Sequence, residues 1–289
     1  MKLLTLNLHG PTEDAARKLH HIAHAVLAEG PQVIALQEVC QRSDAPPANA
    51  ALLTGCTPLP QAVPVRADNP AAHIARLLRE AGVPCGWTFL PVKRGHGCYD
   101  EGLALLAPRG RIRDVASACI SRTRDYADWK TRHALVVRLS GRPDWLCCVH
   151  MGWWQDAQEP FEAQWAALRA FLAQRCGKAP VWLLGDFNAP AEVRGEGYDM
   201  IAADGWHDAF RLAACREGAA TIAGRADGWQ TLPEGGWRID HVWCSRAAGI
   251  ASVRVVFDGR KYPVVSDHAG VLVETAPDES EEAQIHEEV

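Results

Sequence analysis

Leu3-Leu4-Thr5-Leu6-Asn7-Leu8 is a short apolar run, and Val33-Ile34-Ala35-Leu36 is a second, closed by the polar pair Gln37-Glu38. Between them Leu19, Ile22, Ala23, Val26 and Leu27 recur at the spacing of a single helix face. Thr12 is placed to cap that helix, and Glu13 and Asp14 fall in its first turn, where the helix dipole favours acids. Gly30-Pro31 stops it. The stretch therefore reads strand–helix–strand. If the two strands are neighbours, Asn7 and Gln37-Glu38 meet at one rim of a sheet, the place where ligands commonly bind in α/β proteins.

The pattern continues outward from this unit. Residues 43–69, rich in Pro, Ala and Asn, read as a long surface loop. Asn69-Pro70 opens a second helix with Ile74, Leu77, Leu78 and Ala81 as its buried face, ended by Gly82. Strands are expected at Trp87–Val92, Gly102–Ala107, Ile112–Ile120, His133–Leu139 and Trp145–Val149. A helix spans Glu159–Arg175 with Phe161, Trp165, Leu168 and Leu172 on one face. Val181–Leu184 is apolar throughout, as in a sheet covered on both faces. Short helices are expected within 197–216, and strands at Trp237–Trp243, Ser252–Phe257 and Gly270–Glu274. This predicts one compact domain over residues 1–275, with two mixed sheets and helices outside, and a disordered acidic tail over 276–289.

Composition narrows the function classes. The net charge is -5, yet the tail alone carries Asp278, Glu279, Glu281, Glu282, Glu287 and Glu288 and no Lys or Arg. The remainder is thus close to neutral, unlike a protein whose affinity comes from neutralising many phosphates. Nucleic acid is the less favoured partner, and a small anionic substrate is permitted. No apolar run approaches a membrane span, and the N-terminal run is too short for a signal peptide. The ten cysteines form no C-x-x-C pair, so they read as buried thiols of a cytoplasmic enzyme rather than as zinc ligands or disulfides. No protein partner is indicated.

Polar clusters punctuate the strand ends: Asn7, Gln37-Glu38, Gly185-Asp186-Phe187-Asn188 and Ser266-Asp267-His268. His150 ends another strand, and Asp240 sits inside Arg238-Ile239-Asp240-His241. Taken singly, each has a plainer reading. A Glu after an apolar strand is usually solvated, a Gly-Asp-x-Asn turn is usually an Asx turn, and a lone His is usually structural. Taken together and in this order, they resemble the endonuclease/exonuclease/phosphatase superfamily over residues 4–268. The resemblance implies a four-layer α/β sandwich with two central mixed β-sheets flanked by helices. It also implies a metal-dependent phosphoester hydrolase using Mg²⁺ or Mn²⁺. By the same resemblance Glu38 is the main metal ligand, aided by Asn7 and Asp267. Asp186 orients or deprotonates the attacking water, and Asn188 steadies it or a phosphate oxygen. His268, paired with Asp240, donates to a phosphate oxygen, though members have also been read with His as the base, so Asp186 and His268 both stand for that role. His150 stabilises charge on the non-bridging oxygens, and Glu101 is either its supporting acid or a strand-edge carboxylate.

A narrower set of segments resembles the bacterial maltose 6'-phosphate phosphatase branch: Asp128-Trp129-Lys130-Thr131-Arg132, Gly152-Trp153-Trp154-Gln155-Asp156, Glu159-Pro160-Phe161, Arg194-Gly195-Glu196-Gly197-Tyr198-Asp199 and Asp227-Gly228-Trp229. It implies a small phosphorylated carbohydrate as substrate. Lys130 and Arg132 would grip phosphate or a sugar hydroxyl, and Trp153 and Trp154 would pack on a sugar ring. An endonuclease or exonuclease acting on DNA is the alternative.

Overall fold

A computed structural model of the chain describes residues 1–10, 14–60, 62–224, 226, 228–229 and 231–277. Its elements in order are β1 (Lys2–Asn7), α1 (Ala15–Glu29), β2 (Val33–Arg42), α2 (Pro70–Glu80), β3 (Cys85–Gly95), β4 (Tyr99–Pro108), β5 (Ile112–Cys119), β6 (His133–Leu139), β7 (Trp145–His150), α3 (Phe161–Cys176), β8 (Val181–Asp186), α4 (Gly197–Ala203), β9 (His207–Asp208), α5 (Ala209–Leu212), β10 (Ala213–Glu217), β11 (Asp240–Cys244), β12 (Ile250–Val256) and β13 (Gly270–Thr275). One sheet has the order β10-β12-β13-β1-β2-β4-β3, and the other β5-β6-β7-β8-β11-β9. Both are mixed: β1 runs parallel to β2 and β7 parallel to β8, with antiparallel neighbours around them.

Period-two alternation assigns each strand's two faces to different cores. Leu4 and Leu6 of β1 and Ile34 and Leu36 of β2 pack with Ile22 and Val26 of α1 and Ile74 and Leu78 of α2. The opposite faces, through Leu3, Val33 and Ala35, meet Leu135, Leu146, Cys148, Leu184 and Val242 of the second sheet. That sheet's outer face, with Val136, Cys147, Val149 and Leu183, packs on Phe161, Trp165 and Leu168 of α3 and on Ile201 of α4. The layers are therefore helix, sheet, sheet, helix, the four-layer sandwich the motif resemblance implies. No helix among the described residues is long and apolar enough to cross a membrane.

Several local expectations need correction. Leu27 is 38% exposed, at the edge of the α1 stripe rather than within it. On α2, Ala81 is exposed, because the helix has already ended at Glu80. β11 begins at Asp240, three residues later than expected, since Ile239 gives its carbonyl to the Phe187 N–H and its own N–H to Thr221 Oγ1. The second strand does not stop at Leu36 but continues to Arg42 through a register shift between Leu36 and Val39. The expected cap Thr12 with Glu13, Asp227, and tail residues 278–289 lie outside the described residues.

Glu29, in the last turn of α1, ties that helix to β12 and the segment after it. It accepts hydrogen bonds from Arg254, from Lys261 Nζ at 2.7 Å and from Tyr262 Oη at 2.8 Å. The Arg254 hydrogen bond is the largest influence lowering its pKa from 4.5 to about 2. A depressed carboxylate pKa means that the unfolded chain binds the proton more readily, so stability is lost as pH falls. The stabilisation from Glu29 is complete above its unfolded value of 4.5 and disappears as pH drops through about 2. Thermal melts of wild type and Glu29→Gln should accordingly differ most at pH 7 and converge toward pH 2; a constant gap across that range would assign the effect to packing instead.

Candidate active site

Register places the motif residues in two facing rows. In the second sheet His150 pairs with Asp186, and Asp186 pairs with Asp240 across the next strand. In the first sheet Asn7 pairs with Gln37. Asn7 lies on the face between the sheets, and its Nδ2 donates to Asp186 Oδ2 at 3.1 Å and to Glu38 Oε1 at 3.0 Å. Its Oδ1 accepts from the His9 N–H at 2.9 Å and retains a second lone pair.

Glu38 reaches this position through backbone distortion. It sits in the β2 register shift with φ +50, a left-handed conformation that costs a β-carbon-bearing residue about 1–2 kcal/mol. The extra residue of a bulge turns one side chain away from regular alternation. Gln37 stays between the sheets instead, accepting from Thr5 Oγ1 at 3.3 Å and donating to Cys148 Sγ at 3.2 Å. It belongs to the floor beneath the site.

The turn after β8 is both an Asx turn and part of the site. Asp186 Oδ1 accepts the Asn188 N–H at 2.8 Å, Asn188 takes φ +47, and its Nδ2 donates to the Met151 carbonyl at 2.9 Å. Asp186 Oδ2 is thereby left facing His150 Nε2 at 3.6 Å and His268 Nε2 at 3.8 Å. His268 Nδ1 lies 2.8 Å from Asp240 Oδ2, which orients the ring. Asp267 lies 3.2 Å from His9 Nδ1.

Electrostatics separates the two histidines. Burial lowers the pKa of His150 well below its ordinary value, and the nearby charges of Arg132 and Lys93 lower it further, leaving a neutral imidazole. Burial also opposes the charge of His268, but Asp240 and then Asp186 outweigh it and hold an imidazolium. Burial raises the Asp186 carboxyl, with Asp240 adding to the shift. Burial, then the charge of Glu101, raises that of Glu38.

These carboxylates suit a divalent cation. Asp186, Asp240 and His268 offer ligand atoms within 4.8 Å of one another, all buried. Asp240 Oδ1 is buried without a hydrogen-bond partner. The charge of Glu101 adds to the cost of ionising Glu38 across the same cleft, a penalty that a bound cation would remove. The carboxylate donors are hard oxygens, which is the preference of Mg²⁺ and Mn²⁺, whereas His268, held as an imidazolium, is not a ligand.

The cleft holds about 290 Å³ and is lined by Glu38, Glu101, His150, Asp186, Asn188, Asp267 and His268 on its acidic and imidazole side, with Lys93, Arg132, Trp129 and Trp153 beside them. The structure does not bring all four expected substrate contacts here. Lys130 Nζ is drawn away to Asp156 at 2.6 Å and Gln158 at 2.9 Å, and Trp154 packs on Phe161 at a centroid distance of 6.0 Å against the α3 core. Neither lines the cleft, whereas Arg132 and Trp153 do. Glu101 is bound by Lys93 Nζ at 3.1 Å. Other segments of the narrower resemblance serve the scaffold: Glu159 accepts the N–H groups of Arg122 and Thr123, and the Tyr198 hydroxyl donates to Asp208.

Sequence reasoning missed Lys93, the indole of Trp129 as a cleft wall, and Thr221. Lys93 directly follows the last residue of the expected strand, Val92, with only its charge to mark it. Thr221 carries no motif, yet its Oγ1 accepts the N–H groups of Ile239 at 3.1 Å and Asp240 at 3.2 Å, and its carbonyl accepts the Ala269 N–H at 2.7 Å. One residue thus holds the backbone beside both Asp240 and His268.

The chain matches the Endonuclease/Exonuclease/phosphatase family over residues 4–268 and belongs to it. Members of this family are metal-dependent hydrolases acting on phosphoester bonds. Among solved structures, an endonuclease/exonuclease/phosphatase family protein from Leptotrichia buccalis C-1013-b superposes with a TM-score of 0.80 at 20% identity, covering 96% of this chain and 100% of that one. A mannosyl-6-phosphatase from Bacteroides thetaiotaomicron VPI-5482 gives 0.64 at 18% identity, with coverage of 96% and 100%. A 3' phosphatase from Neisseria, bound to a product DNA hairpin, gives 0.60 at 22% identity, also with coverage of 96% and 100%. At these identities the likeness concerns the fold. No curated protein matched the sequence.

Thr221→Val should leave two buried backbone N–H groups without an acceptor, at a cost of about 1–3 kcal/mol. It should also lower turnover by loosening the Asp240–His268 pair. Thr221→Ser should restore both. Chemical denaturation and steady-state turnover on the two variants check this, and a full-strength Val variant would remove Thr221 from the site's support.

Proposed function

We propose that this protein is a Mg²⁺-dependent phosphatase acting on a sugar phosphate, of which maltose 6'-phosphate is the example the narrower sequence resemblance suggests. The observation that carries this reading is the composition of this cleft: acids and the imidazoles of His150 and His268 at one end, a buried Arg and two indoles at the other. The near-neutral charge of the chain without its tail and the ten free thiols agree with a small substrate and a reducing, cytoplasmic setting.

Glu38, with Asn7 and Asp267, would hold the metal ion. Bound there, Mg²⁺ would neutralise phosphate charge and polarise the phosphorus–oxygen bonds. The remaining chemistry belongs to side chains. Phosphoester hydrolysis is slow because water must approach an anion in line and lose a proton as it attacks. Asp186 is the base that takes this proton: Asn7 and Asn188 fix its orientation, and its raised pKa keeps it a competent proton acceptor. His268 is already an imidazolium held by Asp240, so it serves as a charged donor to a phosphate oxygen rather than as the base. His150, neutral, offers a hydrogen bond to charge developing on a non-bridging oxygen. Asn188 steadies the water or a phosphate oxygen.

Glu38→Ala should lose activity mainly by weakening metal binding, with excess Mg²⁺ restoring part of it. Asp186→Asn should lose about 10²–10⁴-fold in kcat at every Mg²⁺ concentration; near-normal turnover would reject its role as base. The deciding assay is Mg²⁺-dependent phosphate release from a panel of sugar 6-phosphates, with an abasic oligonucleotide and bis-p-nitrophenyl phosphate alongside. Release from a sugar phosphate with little diester cleavage is expected. Cleavage of the oligonucleotide or diester alone would replace this substrate assignment with a nuclease.

A further inference from the structure

Trp129 is the most conspicuous exposed aromatic of the described chain: 53% of its surface is open, on the rim of the cleft. Nothing in core packing accounts for it, yet its backbone is held with unusual force. Lys93 Nζ donates to the Trp129 carbonyl at 2.9 Å, and Arg132 Nη1 donates to the same oxygen at 3.0 Å. Both cations are buried, at 6% and 3% exposure. Two buried cations on a single carbonyl occupy both of its lone pairs and fix the chain at that point.

The indole has two close partners, and about half of its surface stays open. Its ring lies 5.8 Å from that of Trp153, and Lys130 Nζ sits 5.3 Å from its centroid. Lys130 is in turn anchored to Asp156 and Gln158, which joins this turn to the segment carrying Trp153. Trp153 is itself confined by Arg132, 5.9 Å from its ring, and by Gly228, where an added β-carbon would fall 2.5 Å from Trp153 Cζ2. Trp153 is therefore the fixed inner wall, and Trp129 the accessible outer one.

We infer that the exposed indole of Trp129 is the stacking surface for the non-phosphate part of the substrate, a sugar ring whose C–H face lies on the indole while its phosphate enters beside His150. This deepens the sugar-phosphate reading above and rests on it. A rigid aromatic platform adds binding energy without a large ordering cost, because the indole has only two side-chain torsions and its backbone is already held. The chemistry selects a ring over an acyclic phosphate ester. The lack of a strongly basic body disfavours a polynucleotide, although a free nucleotide base could also stack.

The test is calorimetric binding in the Asp186→Asn background with Mg²⁺ present, so that ligands stay intact. Its probes are glucose 6-phosphate, glycerol 3-phosphate, adenosine monophosphate and inorganic phosphate. Trp129→Ala should weaken glucose 6-phosphate about 10-fold, while leaving inorganic phosphate and glycerol 3-phosphate within twofold; Trp129→Phe should retain most of the sugar-phosphate affinity. Equal loss for all ligands, no loss for the sugar phosphate, or no glucose 6-phosphate binding before Trp129 is changed would overturn the inference. So would sensitivity to Trp129 confined to adenosine monophosphate. Failure of the wild type to release phosphate from any sugar phosphate would count against the phosphatase reading separately, because the binding isotherms do not depend on turnover.

Discussion

The hydrogen bonds from the Asn7 amide to Glu38 and Asp186 carry the rest of the site. The bond to Asp186 spans the gap between the two sheets, which otherwise meet through apolar side chains and the Gln37–Cys148 hydrogen bond. A buried carboxylate is costly unless it is paired or hydrogen-bonded, and two of them brought together are costlier still. A neutral amide between them supplies donors to both without cancelling their charge, which leaves the acids available to a cation or a proton. This arrangement requires β1 and β8 to end at the same rim of the sandwich. The parallel pairs β1–β2 and β7–β8 provide it, each closing on a polar residue.

Backbone distortion then sorts neighbouring residues into different duties. Regular alternation would send Gln37 and Glu38 to opposite faces of β2, one between the sheets and one toward the helices. The bulge at Glu38 spends conformational energy to bring its carboxylate to the cleft rim, while Gln37 bonds to Cys148 in the opposite sheet. Asn188 uses the same left-handed region after β8. Strain is concentrated where the chemistry is, and the regular ladders on either side over-determine it.

The charges of the cleft are graded rather than merely opposed. His150 and His268 both face Asp186, yet one is neutral and the other charged, because burial, helped by the nearby Arg132 and Lys93, keeps the first neutral and Asp240 grips the second. The same Lys93 and Arg132 hold the backbone of Trp129. The groups that set the electrostatics of the phosphate end thus also fix the wall where the remainder of a substrate would lie.

The sequence by itself determined the β–α–β opening, most strand positions and the layered class, since apolar periodicity is a local property that burial reads directly. It also identified Asn7, Glu38, His150, Asp186, Asn188, Asp240, Asp267 and His268 as polar residues at or near strand ends, and the structure gathers them around one cleft. It did not distinguish Lys130 from Arg132 or Trp154 from Trp153, although each pair is close in the chain. Those distinctions depend on partners distant in sequence: Asp156 draws Lys130 outward, Phe161 takes Trp154 into the α3 core, and Gly228 leaves room for Trp153 at the cleft. Thr221 and Lys93 were invisible for the same reason, being defined by which backbone groups they meet. Local pattern decides which elements form and which polar residues end them; only tertiary packing decides which way a side chain between two possible partners turns, because that choice is made by contacts the chain acquires on folding.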